Sequence, residues 1–375
     1  MERKTPRRLA GEDTDLAKAA PLSHAGRPMR AWRKLGTASL ALALLAAGCA
    51  SDAPQSALDP AGKYARQLHN LFIPVVWVAL AVFILVQGVI VFAVIRWRRR
   101  PGDDDDDMPV QLHGNTKLEI GWTILPALVL GLVAVFTVPV IFQLFDQPED
   151  ALVVEVAGAK FWWGFDYPGD QAEFGISEGI VTANELHIPA GQPVYLTLTS
   201  PDVIHSFWAP RLNGKKDVVP GRVHNWSLHA DEPGVYSGQC AEFCGTSHAN
   251  MRLKVVAHDP AGWEEWVSDM ETTPLPPLAG AAAEGFELFE QRGCAGCHRV
   301  EGAYEVVAPD SPPAPDLTHL FTRDCFAGCI YDLNDRAEVE AWLRNPQRKA
   351  GSLMVVGQLT EEDIDKLYAY LETLE

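Results

Sequence analysis

Charge is absent from residues 71–95 of this 375-residue chain, and absent again from residues 120–145. Each stretch exceeds the roughly 20 residues needed to cross the hydrocarbon core of a bilayer, so both read as membrane spans. Basic residues are scarce, 31 against 49 acidic ones, and the formal net charge is −18. That balance excludes nucleic acid as a partner and suits a basic protein instead. Cysteine is scarce too: Cys49 stands alone, and the other six form three short pairs at 240/244, 294/297 and 325/329. Such pairing argues for local sites rather than a disulfide framework spread along the chain. No internal repeat is visible, which sets repeat architectures aside.

The spans can be oriented. "RWRRR", residues 96–100, follows the first one, and cationic flanks stay on the cytoplasmic side. The first span then runs inward and the second outward, leaving everything after about residue 146 outside the cytoplasm. The acidic run at 103–107 reads as a solvated loop. Upstream, residues 1–48 read as a lipoprotein-type signal peptide, with a basic region and the short apolar stretch "LGTASLALALLAAG" before Cys49. Cleavage there would put a lipid on Cys49. A plain signal peptide with an incidental cysteine and a retained anchor are the alternatives.

Residues 150–270 have a different texture. "LVVEVAG", "ELHIPAG", "VYLTLTS", "RVHNWSLHA" and "MRLKVVAH" are short β-rich runs broken by Gly, Pro, Asn and Asp, the pattern of a Greek-key β-sandwich or barrel. "DPAGWEEWVSDM" closes the region as one amphipathic helix. Residues 272–280, "TTPLPPLAG", are a Pro-rich, semi-rigid linker. Residues 281–375 turn helical, and Thr360 with Asp363 has the spacing of a capping box.

This helical region opens with "CAGCH", Cys294, Cys297 and His298, the attachment signature of a c-type haem. Two thiols add to the haem and the adjacent imidazole binds its iron. Met354 is the only methionine after the motif and is the expected second axial ligand, with His319 the rival. Cys325 and Cys329 have no histidine after them, so they are no second haem site; a disulfide is the expectation outside the cytoplasm.

"CAEFCGTSHANM", residues 240–251, gathers Cys240, Cys244, His248 and Met251, and His205 lies upstream in "DVIHSFWAP". Soft thiolates with imidazole and thioether favour copper, and two thiolates on one loop can bridge a pair of coppers. A zinc site would leave the methionine without a use, and a Cys240–Cys244 disulfide would waste both histidines; both stay open at this point.

The segment resembles the copper loop of subunit II of haem–copper cytochrome c oxidases, C-x-E-x-C-G-x-x-H-x-x-M, and "DVIHSFWAP" is similar to that family's D-V-x-H-S element. "NTKLEIGWTILPAL" is similar to its second-span opening, and the appended haem region resembles the variant with a fused cytochrome c. The resemblance runs from about residue 65 to 258. It implies a multi-domain membrane protein: a two-helix hairpin over residues 65–145, a cupredoxin-like Greek-key sandwich, then an all-α cytochrome c domain. It further implies that Cys240 and Cys244 bridge a dinuclear copper centre, with His205, His248, Met251 and the Glu242 carbonyl as further ligands. The Glu242 carboxylate would hold magnesium at the subunit I interface, and Glu119 would sit at the mouth of a proton channel. Many relatives carry Trp where this chain has Phe161, which leaves Phe161, Trp162 and Trp163 as candidates for electron entry.

The expected function is the electron-entry subunit of a proton-translocating cytochrome c oxidase in a bacterial inner membrane. The expected partners are subunits I and III and a donor cytochrome c or cytochrome c-reducing complex. The alternatives are the matching subunit of a copper-containing nitric oxide reductase and, from another class, a membrane-tethered copper carrier. A quinol oxidase subunit would not need the copper ligands.

Overall fold

The computed structural model describes residues 53–98, 111, 113–304 and 314–375; the signal peptide, Cys49 and the acidic run at 103–107 lie outside the described residues. Helices α1 (Lys63–Trp97) and α2 (Thr116–Phe145) contain the two charge-free stretches and start before them. The early start of α2 has a local cause. The Asn115 side chain accepts the N–H groups of Lys117 and Leu118 at 3.2 and 3.3 Å, satisfying donors that the first turn leaves free. At 1.5 Å per residue the helices run roughly 52 and 45 Å, more than the roughly 30 Å of hydrocarbon they have to cross.

Ten strands follow: β1 (Leu152–Ala159), β2 (Trp162–Tyr167), β3 (Ile180–Ala183), β4 (Glu185–Pro189), β5 (Val194–Thr199), β6 (His205–Trp208), β7 (Lys216–Val218), β8 (His224–Leu228), β9 (Gly234–Cys240) and β10 (Arg252–His258). They form two five-stranded sheets, β3-β2-β1-β5-β8 and β4-β10-β9-β6-β7. β1 and β5 pair in parallel, as do β4 and β10, and the remaining pairs are antiparallel. Alternate residues of β1, Leu152, Val154 and Val156, turn inward and meet Trp163, Phe165, Leu196, Leu198, Phe207, Leu253 and Val255 in one core. The expected sandwich is thus present. β6 runs through "DVIHSFWAP", quoted above for its histidine, and at four residues it is too short to show as a strand in the sequence.

Both membrane helices are tied to the sandwich at their outer ends. Ala61 N donates to Arg211 O at 2.7 Å, Ala65 N to Leu212 O at 3.1 Å, and Asp231 N to Ala61 O at 2.9 Å. Gly62 fits there because a Cβ would lie 2.0 Å from the His229 carbonyl. At the end of α2, Ser227 Oγ donates to Asp146 O at 3.1 Å, and the Lys216 ammonium stands 4.3 Å from the centre of the Phe145 ring.

Helix α3 (Pro260–Met270), capped by Asp259, packs Trp263, Trp266, Val267 and Met270 onto the sandwich. Residues 273–278 have no regular structure, and Leu275 and Leu278 are 84% and 98% exposed. Then come α4 (Gly280–Gln291), a tight turn at Cys294–Gly296, α5 (Arg336–Arg344) and α6 (Glu361–Leu371). The Thr360/Asp363 capping box is formed as expected. α4 crosses α6 so closely at Gly285 that a Cβ there would sit 1.9 Å from Lys366 O. One addition departs from the all-α expectation. A two-stranded ribbon, β11 (Cys325–Phe326) and β12 (Tyr331–Asp332), is bordered by a Cys325–Cys329 disulfide.

Candidate metal centre

The loop between antiparallel neighbours β9 and β10 is closed at its neck by Cys240 N donating to Met251 O at 2.9 Å. β6 lies beside β9, so its first residue, His205, arrives from the adjacent strand. Cys240 Sγ stands 3.9 Å from Cys244 Sγ and 3.9 Å from His205 Nδ1; Cys244 Sγ stands 3.7 Å from His248 Nδ1 and 3.9 Å from Met251 Sδ. The Glu242 carbonyl oxygen approaches Cys240 Sγ to 3.2 Å. His205 and Met251 are wholly buried, and both cysteines nearly so. Electron-rich sulfur, nitrogen and oxygen atoms crowded in a dry pocket repel one another unless a cation sits among them. Both thiols are free, and their separation is far from the roughly 2.03 Å of a disulfide. With five side chains and a carbonyl, the set exceeds the four ligands of a structural zinc.

Asp202, which sequence reading passed over, completes the site. Its carboxylate lies 2.8 Å from His205 Nε2, which keeps the proton on that nitrogen and leaves Nδ1 toward the sulfurs. The same carboxylate accepts Lys160 N at 2.7 Å. The Cys244 thiol, with help from His205, draws the Cys240 thiol well below its ordinary value, while Cys244 is pushed up by sharing that proton and by burial. Burial works to lower the His205 imidazole, and Cys240 and Asp202 outweigh it and raise it. The signal was available: Asp202 precedes His205 by three residues in one short motif.

The remaining candidates are placed as follows. The Glu242 side chain is half-exposed and stands 3.7 Å from Lys215 Nζ. Glu119 is exposed in the first turn of α2, at the opposite end of that helix from the sandwich. Trp163 is fully buried, with its ring edge-on to His205 and Phe207 at 6.1 and 5.6 Å. Trp162 is half-buried beside it. Phe161 is 6% exposed and lies between the copper loop and the segment that leads to Met354. A Cβ on Gly245 of the copper loop would lie 3.3 Å from its ring, and one on Gly351 3.2 Å.

In the helical part, Cys294, Cys297 and His298 lie on consecutive tight turns, with His298 N donating to Cys294 O at 3.0 Å. His298 Nδ1 donates to Pro315 O at 2.8 Å, leaving Nε2 as the free ligand atom. That geometry fits a haem-iron ligand. Met354 is half-buried between α5 and α6, and its sulfur accepts Trp342 Nε1–H at 3.2 Å. His319 is buried with Nδ1 3.2 Å from the Glu375 carbonyl oxygen.

The helical part also rests on the sandwich. Glu185 Oε1 accepts the N–H groups of Asp324 and Cys325, each at 3.0 Å, and Arg252 N donates to Gly328 O at 3.0 Å. Ser247 Oγ of the copper loop donates to Ala350 O. Lys349 Nζ donates to Phe161 O at 2.6 Å and to Ala327 O at 2.7 Å, and burial drives its ammonium down to about 7.

Sequence comparison then separates the readings. The profile of "Cytochrome C oxidase subunit II, transmembrane domain" matches residues 53–140, "Cytochrome C oxidase subunit II, periplasmic domain" residues 152–258, and "Cytochrome c" residues 282–375. "Cytochrome c oxidase subunit 2" of Alkalihalophilus pseudofirmus is 37% identical over 341 residues, 89% of this chain and 94% of that protein. The chain belongs to the cytochrome c oxidase subunit II family. The Bacillus subtilis protein of the same description is 32% identical, covering 92% of this chain and 98% of its own length. "Quinol oxidase subunit 2" of Bacillus cereus is 32% identical over 67% of this chain and 84% of its own. Membership makes the chain a subunit of a haem–copper oxidase, an oxidoreductase, with a fused cytochrome c region. It implies haem, copper, a subunit I and a cytochrome donor, and a membrane anchor carrying an extracellular domain.

Proposed function

We propose that this chain is the electron-entry subunit of a terminal cytochrome c oxidase in a bacterial inner membrane. In this reading electrons arrive from a donor cytochrome c, or from a cytochrome c-reducing complex, at the haem region and leave through the copper loop to subunit I. There dioxygen is reduced to water with proton translocation. The bound haem supplies a one-electron carrier, and a copper pair supplies a second whose geometry changes little on reduction.

The chain's own residues then have these tasks. Cys240, Cys244, His205, His248, Met251 and the Glu242 carbonyl would hold a dinuclear copper centre. Asp202 holds the His205 ring in the ligating tautomer. Cys294 and Cys297 would attach the haem, and His298 Nε2 and Met354 would ligate its iron. His319 is the rival sixth ligand, bonded through Nδ1 to the Glu375 carbonyl as His298 is to that of Pro315. The Glu242 carboxylate, directed outward, is available to a magnesium ion against subunit I, and Glu119 to proton uptake on the cytoplasmic side. Subunit III and a lipid on Cys49 belong to the same reading.

The observation that carries it is the dry cluster of soft donors beneath a loop on which the cytochrome region rests. A tethered copper carrier would have no need of that region. The test is to purify the complex, measure copper and haem content, and compare oxygen consumption with nitric oxide reduction. Copper-free preparations, or nitric oxide reduction in place of oxygen consumption, overturn it.

A further inference from the structure

We propose that Lys349, acting with the Cys325–Cys329 loop, is a positioning residue that seats the haem region on the copper loop and fixes the crossing between them. The inference rests on the electron-entry reading above.

One ammonium joins three segments. Its two carbonyl partners are Phe161, on the sandwich, and Ala327, in the disulfide loop, and Lys349 itself begins the segment that leads to Met354. A lysine that is 4% exposed is costly, and its place is explained only by what it holds together. The disulfide loop touches the sandwich along its length. Cys325 N reaches Glu185, Gly328 O accepts from Arg252, and Cys329 Sγ lies 3.6 Å from Asn184 O. Gly328 adopts φ +76°, and a Cβ there would lie 2.5 Å from Asn250 O and 2.8 Å from both Lys349 Nζ and Phe161 O, so the fit tolerates no side chain. Beside it the Phe161 ring fills the gap between Gly245 and Gly351.

The linker cannot supply this order. Residues 273–278 lack regular structure, and both their leucines face solvent. A tether of that kind gives an effective concentration of order millimolar but no orientation, and an electron crossing depends on the distance and orientation of its two carriers. The step moves one electron from reduced haem to the oxidised copper centre, with no proton or bond exchanged.

The test uses the full chain in its oxidase complex, with Lys349→Met and, independently, Gly328→Ala. Amide hydrogen exchange at residues 245–251 and 325–329 reads the seat whether or not the metals turn over. Rapid reduction of the haem followed by optical recording reads the transfer. Expected are exchange faster by about ten-fold or more and slower haem-to-copper transfer. Reduction of haem by the donor and the copper spectrum stay as in the parent. Unchanged exchange in both variants overturns the proposal, and so does slowed transfer with unchanged exchange. Absence of transfer in the unaltered protein would instead remove the electron-entry reading, and the exchange measurement would still decide the seat.

Discussion

Replacing Glu185 by alanine removes the acceptor that the sandwich offers to the disulfide loop. The carboxylate is 2% exposed and takes two N–H groups at 3.0 Å, so its loss leaves two donors without a partner. A hydrogen bond to a charged group is worth about 1.5–3 kcal/mol net. Water that enters the opened interface recovers part of two such bonds, leaving a cost of about 2–4 kcal/mol. Lys254 changes the sum little, because it is part-exposed and keeps Asp324 at 3.1 Å. The Arg252 amide reports the opening, since it donates across the interface to Gly328 and not to Glu185. At 1.4 kcal/mol per factor of ten, its protection against hydrogen exchange should fall by about 30- to 700-fold. The pH dependence has a definite sign. Burial works to raise the Glu185 carboxyl, but His187, Lys254 and the Asp324 N–H outweigh it and hold it below its ordinary value. The stabilisation is therefore complete above the ordinary glutamate value of about 4.3 and is lost as pH falls through the lower folded value. Arg252 exchange in Glu185→Ala equal to that of the parent at neutral pH would refute the reasoning.

Cys240→Ser should cut copper affinity by more than the roughly 100-fold that changes behind the ligands already reach, and leave covalent haem intact; metal analysis with optical spectra checks both. Met354→His should keep the haem but lower its potential by about a tenth of a volt or more, within the roughly 0.8 V that axial ligands span. A redox titration without a shift would point to His319 as the native ligand. Glu119→Ala should slow steady turnover while the donor still reduces haem and copper at parental rates, because Glu119 lies at the far end of α2 from both. Stopped-flow spectra separate these phases, and parental turnover across the pH range would leave Glu119 as an interfacial anchor.

Local chemistry was legible because its residues are neighbours in sequence. The haem signature occupies five positions, most of the copper donors occupy twelve, and the spans announce themselves by missing charge. The same holds for the Thr360 cap. What stayed hidden depends on distant pairs. Lys349 reads as a surface lysine in "QRKAGSLM", and nothing near it hints at a carbonyl 188 positions away. Glu185 opens β4 on the face that alternation would leave to solvent, yet all five residues are buried: Leu186 and Ile188 enter the sandwich core, and the disulfide loop and Trp266 of helix α3 cover Glu185 and His187. Phe161 shows the same limit: the sequence marks it as a departure from the common tryptophan, while its burial depends on Gly351.

The two-point attachment of the sandwich to its hairpin has a cost already met before any partner arrives. Ala65 is bonded to Leu212 at the start of α1, and Asp146 to Ser227 at the end of α2. The sandwich can turn relative to the hairpin only by breaking both. Lateral diffusion in a membrane already confines a protein to two dimensions, and these bonds remove much of the tumbling that would remain. The rotational freedom that association normally consumes is spent during folding of this single chain. Every encounter with subunit I then presents the copper loop in the same orientation to the hairpin.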